Sequence, residues 1–346
     1  MTKAVNIKKT RGKNAVLTIE GELPAQAIED LRAKAVAEIG KDLELPGFRK
    51  GKIPPEIVVQ AVGEFAVLET EADLALREEV PALLEEDAKE IISRPEIKIT
   101  KLAKGNPLCF TITAYLYPKT TLPDYKKIAE KIWSVAEETP TVTEEELLNV
   151  LNELLKTRAK ESERSPELTD ELAKTFGDFA TAADFKEKVR NNMVLEKSYR
   201  AKEKRRIECS EKFVSESEVE LPQILTEGEL GKMLAGLKDD VSRMGLKFED
   251  YLKNTGKTES ELLEKWRPEA EKRAKLQIIL QKIAAVEKIQ PAQSAVERET
   301  SHLLSHYHGA DKERAAAYVL NILTNEKVYE FLENQQATTN HRPQTL

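Results

Sequence analysis

Near the start of the chain, apolar and polar positions alternate. Ala15, Leu17 and Ile19 alternate with Val16, Thr18 and Glu20, which predicts a strand with one apolar face. The period then lengthens. Ile28, Leu31, Ala35 and Ile39 recur at helical spacing, and Gly40 is placed to end that helix. A loop over 41–54 follows, then helical segments from Pro55 to Ile92. Ile97 and Ile99 begin another strand, Gly105-Asn106-Pro107 makes a turn, and Phe110, Ile112, Ala114 and Leu116 share one face of the next strand. The order of strands, helices and strands lets the first and last segments pair in one sheet backed by helices, an α+β fold.

From Leu122 to Pro140 the pattern predicts an extended linker. Thr143 followed by Glu144, Glu145 and Glu146 is a helix start, an N-cap with acids in the first turn. Leu147, Leu148, Leu151, Leu154 and Leu155 give that helix an apolar stripe. From 167 to 335 nearly everything reads as helix. Phe185, Val189 and Met193 open a long helix that runs to Ser215, and Leu221-Pro222 breaks it. Gly245 ends the next helix, and Asn254 to Thr258 is a loop and cap. Leu276, Ile279, Leu280 and Ile283 form the apolar face of a helix after Pro268. Pro291 separates two last helices, with Gly309-Ala310-Asp311 between them, and the polar tail 336–346 reads as disordered.

Composition narrows this picture. A chain of 346 residues has room for two or three domains, and 33% charged with 5% aromatic residues favours long solvated helices. A net charge of −7 excludes a general nucleic-acid binder, so any RNA contact must come from a local basic patch. Cys109 and Cys209 are isolated thiols that suit a reducing compartment. The first six residues carry no apolar signal region, and no window approaches the ~18 uncharged apolar residues of a membrane span. A cytoplasmic protein is expected.

One stretch does not read as core. Gly47-Phe48-Arg49-Lys50-Gly51-Lys52-Ile53-Pro54 places three cations and an aromatic between glycines and prolines. Proline fixes φ and glycine admits conformations that other residues avoid, so the segment is a shaped loop between helices. Phe48 is a poor choice for an exposed loop unless a partner covers it, and Arg49 and Lys50 suit phosphate or carboxylate groups. Lys202-Glu203-Lys204-Arg205-Arg206 reads as a solvated helix face. His302, His306 and His308 cluster, but no Cys, Asp or Glu completes a metal set beside them in the sequence. No phosphate loop, nucleophile elbow or paired-carboxylate signature is present, so neither a catalytic residue nor a cofactor is expected.

The loop octet resembles the ribosome-binding signature of bacterial trigger factor, and the resemblance spans the chain. Leu122-Pro123-Asp124-Tyr125 is similar to the family's entry into its linker. Leu172-Ala173-Lys174 with Phe176-Gly177 and Phe179 is similar to the segment after the isomerase domain, and Glu220-Leu221-Pro222 to a break between arm helices. Phe248 to Leu252, Thr255-Gly256-Lys257-Thr258 and Arg267-Pro268-Glu269-Ala270-Glu271-Lys272-Arg273 are similar to the family's C-terminal signature. The family carries an FK506-binding-type prolyl isomerase domain between linker helix and arms. Here only Glu161-Ser162-Glu163-Arg164-Ser165 stands between them, where a domain needs ~50 residues.

The resemblance therefore implies a trigger factor-like chaperone without the isomerase domain. Its expected parts are an α+β head over 1–118, a linker and linker helix over 119–165 with the isomerase missing at 161–166, an elongated all-α body with helical arms over 166–335, and the tail. It would be ATP-independent and not an enzyme. Gly47, Phe48, Arg49, Lys50, Gly51, Lys52 and Pro54 would dock beside the exit tunnel, on a large-subunit protein and ribosomal RNA. Nascent or unfolded chains would be held on apolar surface between head, arms and body. Met233, Leu234, Leu237, Met244, Leu246 and Phe248 are candidates on one arm, and Ile322, Leu323, Tyr329 and Phe331 near the other end. Self-association as a dimer off the ribosome also follows from the family, and neither membrane nor DNA is an expected partner. Two other readings stay open: a helical interaction factor that binds ribosomes or proteins without holding clients, and a prolyl isomerase foldase, against which the short gap argues.

Overall fold

The computed structural model of the chain describes residues 3–134, 140–157, 168–307 and 309–335. The chain divides into two compact units, each discontinuous in sequence. One comprises Met1–Thr121 and Glu218–Ile278, the other Leu122–Ser217 and Ile279–Leu346.

In the first unit, β1 (Val5–Arg11), β2 (Val16–Leu23), β3 (Glu96–Lys101) and β4 (Leu108–Tyr115) form an antiparallel sheet in the order β1-β2-β4-β3. The first and last apolar strands do pair, Leu17 opposite Ala114 and Ile19 opposite Ile112. Between them come α1 (Ala25–Glu29), α2 (Arg32–Asp42), α3 (Pro55–Val62) and α4 (Glu64–Leu84). Leu17, Ile19, Leu23, Leu108, Phe110 and Ile112 lie buried against Ala72, Leu76 and Val80 of α4.

One strand leaves no mark in the sequence pattern, and three expectations need correction here. β1 is an edge strand exposed along its whole length, so no alternation marks it. Its Lys9 and Arg11 share a face with the core residues and reach Asp87, a buried carboxylate bound by both cations, with Arg11 Nη2 at 2.7 Å. The helix read through Leu31 breaks between α1 and α2. Gly40 does not end α2 but sits inside it, where a Cβ would lie 3.4 Å from Val58. Ile92 lies beyond the helices, since α4 ends at Leu84.

The first unit continues with β5 (Thr120–Thr121), then, after an excursion, β6 (Glu218–Val219), α9 (Gln223–Arg243), α10 (Phe248–Thr255) and the start of α11 (Glu259–Glu287). β5 and β6 pair antiparallel, a two-residue ladder in an otherwise helical stretch. Pro222 is the N-cap of α9, Gly245 follows its end with φ +74°, and Gly256 closes α10 in the left-handed region. α11 starts before Pro268 rather than after it. Thr258 and Glu261 form reciprocal hydrogen bonds that begin the helix, and Leu262 and Ala270 are buried on either side of the proline.

The second unit holds α5 (Tyr125–Trp133), α6 (Glu144–Lys156), α7 (Asp170–Ala173), α8 (Ala182–Glu216), the end of α11, α12 (Gln293–His306) and α13 (Lys312–Glu333). The expected extended linker is helical over α5: the Asp124 carboxylate accepts from Lys127 N, and Ala129, Ile132 and Trp133 turn inward. Thr143 and Glu146 form the capping box that opens α6. Leu147 and Leu151 meet Ala173, Phe185 and Val189, with Phe176 stacked on Phe185 at 4.9 Å. The basic run on α8 is a solvated face only in part: Glu203 and Lys204 are exposed, while Lys202, Arg205 and Arg206 turn toward neighbouring helices. Arg206 is largely buried, paired with Glu326 at 2.8 Å and Glu333 at 2.6 Å, and Arg205 lies over Trp133. The segment 161–166 and the tail 336–346 lie outside the described residues. No helix among those described is long and apolar enough to cross a membrane.

Candidate functional site

The 43–54 loop is built by its ends. Leu43 and Ile53 pack on a small core of Val36, Val58 and Val67. Pro54 is the N-cap of α3 and Pro55 its first helical residue, a position that suits a fixed φ and a missing N–H. Between the anchors run two tight turns, Phe48 N–H donating to Leu45 O at 3.1 Å and Lys52 N–H to Arg49 O at 2.9 Å. Gly47 and Gly51 take φ of +89° and +74°, a region costly for residues with a Cβ.

This backbone lifts a tip clear of the fold. Gly47, Phe48, Arg49, Lys50, Gly51, Lys52 and Pro54 are all exposed, Phe48 by 42%. Lys50 stands 3.6 Å from Glu44 and 3.9 Å from Asp42, while Arg49 and Lys52 make no ion pair among the described residues. The tip thus offers an uncovered ring beside two cations that no acid neutralises. The acids facing Lys50 belong to the stem and were not singled out from sequence.

The candidate apolar residues fall into three environments. Met233, Leu234 and Leu237 are half-buried along α9. Met244 and Leu246, in the turn after it, are 73% and 47% exposed. Phe248 stacks on Tyr251 at 6.2 Å with Lys238 Nζ 4.9 Å from its ring. In the second unit, Ile322 and Leu323 line an open groove of about 670 Å³ between α12 and α13, with Leu303, Tyr307, Tyr318 and Val319. Tyr329 and Phe331 are not in that groove. The Tyr329 hydroxyl meets Ser210 Oγ at 2.5 Å beneath Arg206, burial pushes the phenol up, and Phe331 lies under Lys126.

Sequence reasoning missed Leu303, Tyr307, Tyr318 and Val319, whose shared groove depends on how α12 and α13 pair. It also missed Phe65, 62% exposed at the rim of a head cleft of about 680 Å³. That cleft holds Arg32 between Glu64 (2.7 Å) and buried Glu71 (3.1 Å), whose carboxyl burial pushes up. Among the described residues, no group of three His, Cys, Asp or Glu is placed to hold a metal.

Known proteins resemble this chain in sequence and in fold. The family model described as bacterial trigger factor protein matches residues 3–154, and that of the bacterial trigger factor C-terminus matches residues 181–339. The trigger factor of Caldicellulosiruptor saccharolyticus is 25% identical over 383 residues, covering 86% of this chain and 87% of its own. That of Bacillus subtilis (strain 168) is 24% identical, covering 88% and 92%. A solved structure of the trigger factor chaperone, studied for promiscuous substrate recognition in folding and assembly, has a TM-score of 0.53 at 16% identity. It covers 95% of this chain and 99% of that one, a likeness of fold. An α+β head followed by a long helical region is the order in which the two family models fall on the chain, and the chain belongs to the trigger factor family of bacterial chaperones.

Proposed function

We propose that this protein is an ATP-independent cytoplasmic chaperone that docks at the ribosomal exit tunnel through the 47–54 tip, holds nascent or unfolded chains on exposed apolar surface of its helices, and has no prolyl isomerase activity. The exposed tip carries the reading: an uncovered aromatic beside Arg49 and Lys52, which make no ion pair among the described residues, on a loop closed by two turn hydrogen bonds. Arg49 suits a forked pair with phosphate or carboxylate, Lys50 and Lys52 supply point charges, and Phe48 is an apolar anchor. Client holding rests on Met244 and Leu246 on one arm, and on Ile322 and Leu323 in the α12–α13 groove. Such broad, weak surfaces suit varied apolar segments. With no nucleotide motif, cycling rests on affinity alone.

The family matches support the loss of the isomerase. They leave only residues 155–180 between the two family models. The alignment with the Caldicellulosiruptor protein runs over 383 residues, more than the 346 of this chain, so that relative carries internal residues that this one lacks.

Ribosome co-sedimentation of the intact protein and of a Phe48→Ala/Arg49→Ala/Lys50→Ala variant tests the docking. The folded variant should fail to pellet. If all three cations meet phosphates, binding by the intact protein should fall by about one to two decades between 50 and 200 mM salt. Equal pelleting of both proteins, or of neither, removes the tip from the reading. Aggregation of a denatured substrate, followed by light scattering, tests the holding, since an interaction factor without clients would leave it unchanged. A proline tetrapeptide assay should show no rate above background.

A further inference from the structure

The wall of the α12–α13 groove carries two facing imidazoles. His302 and His306 are one turn apart at the end of α12, both exposed, with their Nε2 atoms 3.3 Å apart and their rings edge to face. That spacing matches a chelate, because two nitrogens bound at ~2.05 Å to a tetrahedral ion stand about 3.3 Å apart. The pair occupies the C-terminal turn of a 14-residue helix, where unpaired carbonyls favour a cation. Glu299, which lines the same groove, adds negative potential, although its carboxylate is paired with Arg298 at 3.1 Å. The groove leaves room in front of the rings for further ligands.

We propose that His302 and His306 chelate one divalent transition-metal ion of the Zn²⁺, Ni²⁺ or Cu²⁺ class through their Nε2 atoms, with the remaining positions open to water. Each ring binds as a neutral imidazole, so the ring that donates through Nε2 shifts its proton to Nδ1, the other already carries it there, and the hydrogen bond between the rings is replaced by the metal. Two ligands make an exchangeable site, not a structural one. Hard oxygen-seeking ions such as Mg²⁺ are poor occupants. The inference does not depend on the groove holding clients.

The test is a calorimetric titration of the full chain, freed of metal, with ZnCl₂, NiCl₂ and MgCl₂. One equivalent of Zn²⁺ or Ni²⁺ should bind saturably near pH ~7.5 and show no counterpart with Mg²⁺. His302→Ala and His306→Ala should each weaken binding roughly a hundredfold by removing one arm of the chelate, with helix content by circular dichroism unchanged. The chain has four histidines, and a His308→Ala/His341→Ala variant should bind as tightly as the parent. Binding that survives His302→Ala/His306→Ala, that disappears with His308 and His341, or that is missing in the intact chain up to about millimolar metal overturns the proposal.

Discussion

The sheet of the head and the turn between α9 and α10 both carry large apolar residues, yet those residues end in opposite environments. Leu17, Ile19, Phe110 and Ile112 are at most 1% exposed, closed over by α4. Met244 and Leu246 stand 73% and 47% in the open. A periodic stripe tells which face of an element is apolar; only a partner element decides whether that face is covered. The strands are closed over, while the turn between α9 and α10 is left open.

Four variants break or sharpen this contrast. Phe110→Ala removes a ring buried at the centre of the sheet and should destabilise the head by about 3–5 kcal/mol, read from urea denaturation. Gly21→Ala should cost about 1–3 kcal/mol, because the new methyl would lie 2.8 Å from Phe110 Cζ; a neutral result would mean that the ring shifts freely and the core is looser than described.

Asp87→Asn should cost about 1–2 kcal/mol near neutral pH, since the carboxylate is buried but Lys9 and Arg11 remain partly in water. Burial pushes the Asp87 carboxyl up, and the hydrogen bonds from Lys9 and Arg11 outweigh it, so its folded value lies below the ordinary 3.8. Its contribution is therefore complete above that pH and is lost as the pH falls through the lower folded value. Stability measured across that acid range should converge for parent and variant. Parallel curves would show that the cluster does not hold β1 in place.

Met244→Ser with Leu246→Ser should change stability by no more than about 0.5 kcal/mol while reducing the suppression of substrate aggregation. A large loss of stability would show that these residues are core after all.

Much of the head was legible because one face of β2 and β4 is buried and the other is not, and alternation records that. β1 left no such trace. Every residue in it is exposed, and the two that point inward are cations whose partner, Asp87, is more than 70 residues away. The burial of Arg206 within the run at 202–206 was hidden for the same reason, since Glu326 and Glu333 lie 120 and 127 residues from it. α5 was hidden by its brevity and by a lone aspartate cap. The loop tip was legible because proline and glycine act locally. The α12–α13 groove was not, because Tyr318 and Tyr307 look unremarkable until two helices are set side by side.

The stem of that tip bears on timing as much as on recognition. Two prolines, two turn hydrogen bonds and an anchored pair of aliphatic side chains leave the 43–54 segment little freedom to lose when a partner arrives. Binding by such a preshaped probe is limited by encounter rather than by rearrangement, so ionic strength would govern how often it lands. On the docking proposed above, how long it stays would depend on the seat found by a single phenyl ring, so Phe48 would set the dwell time.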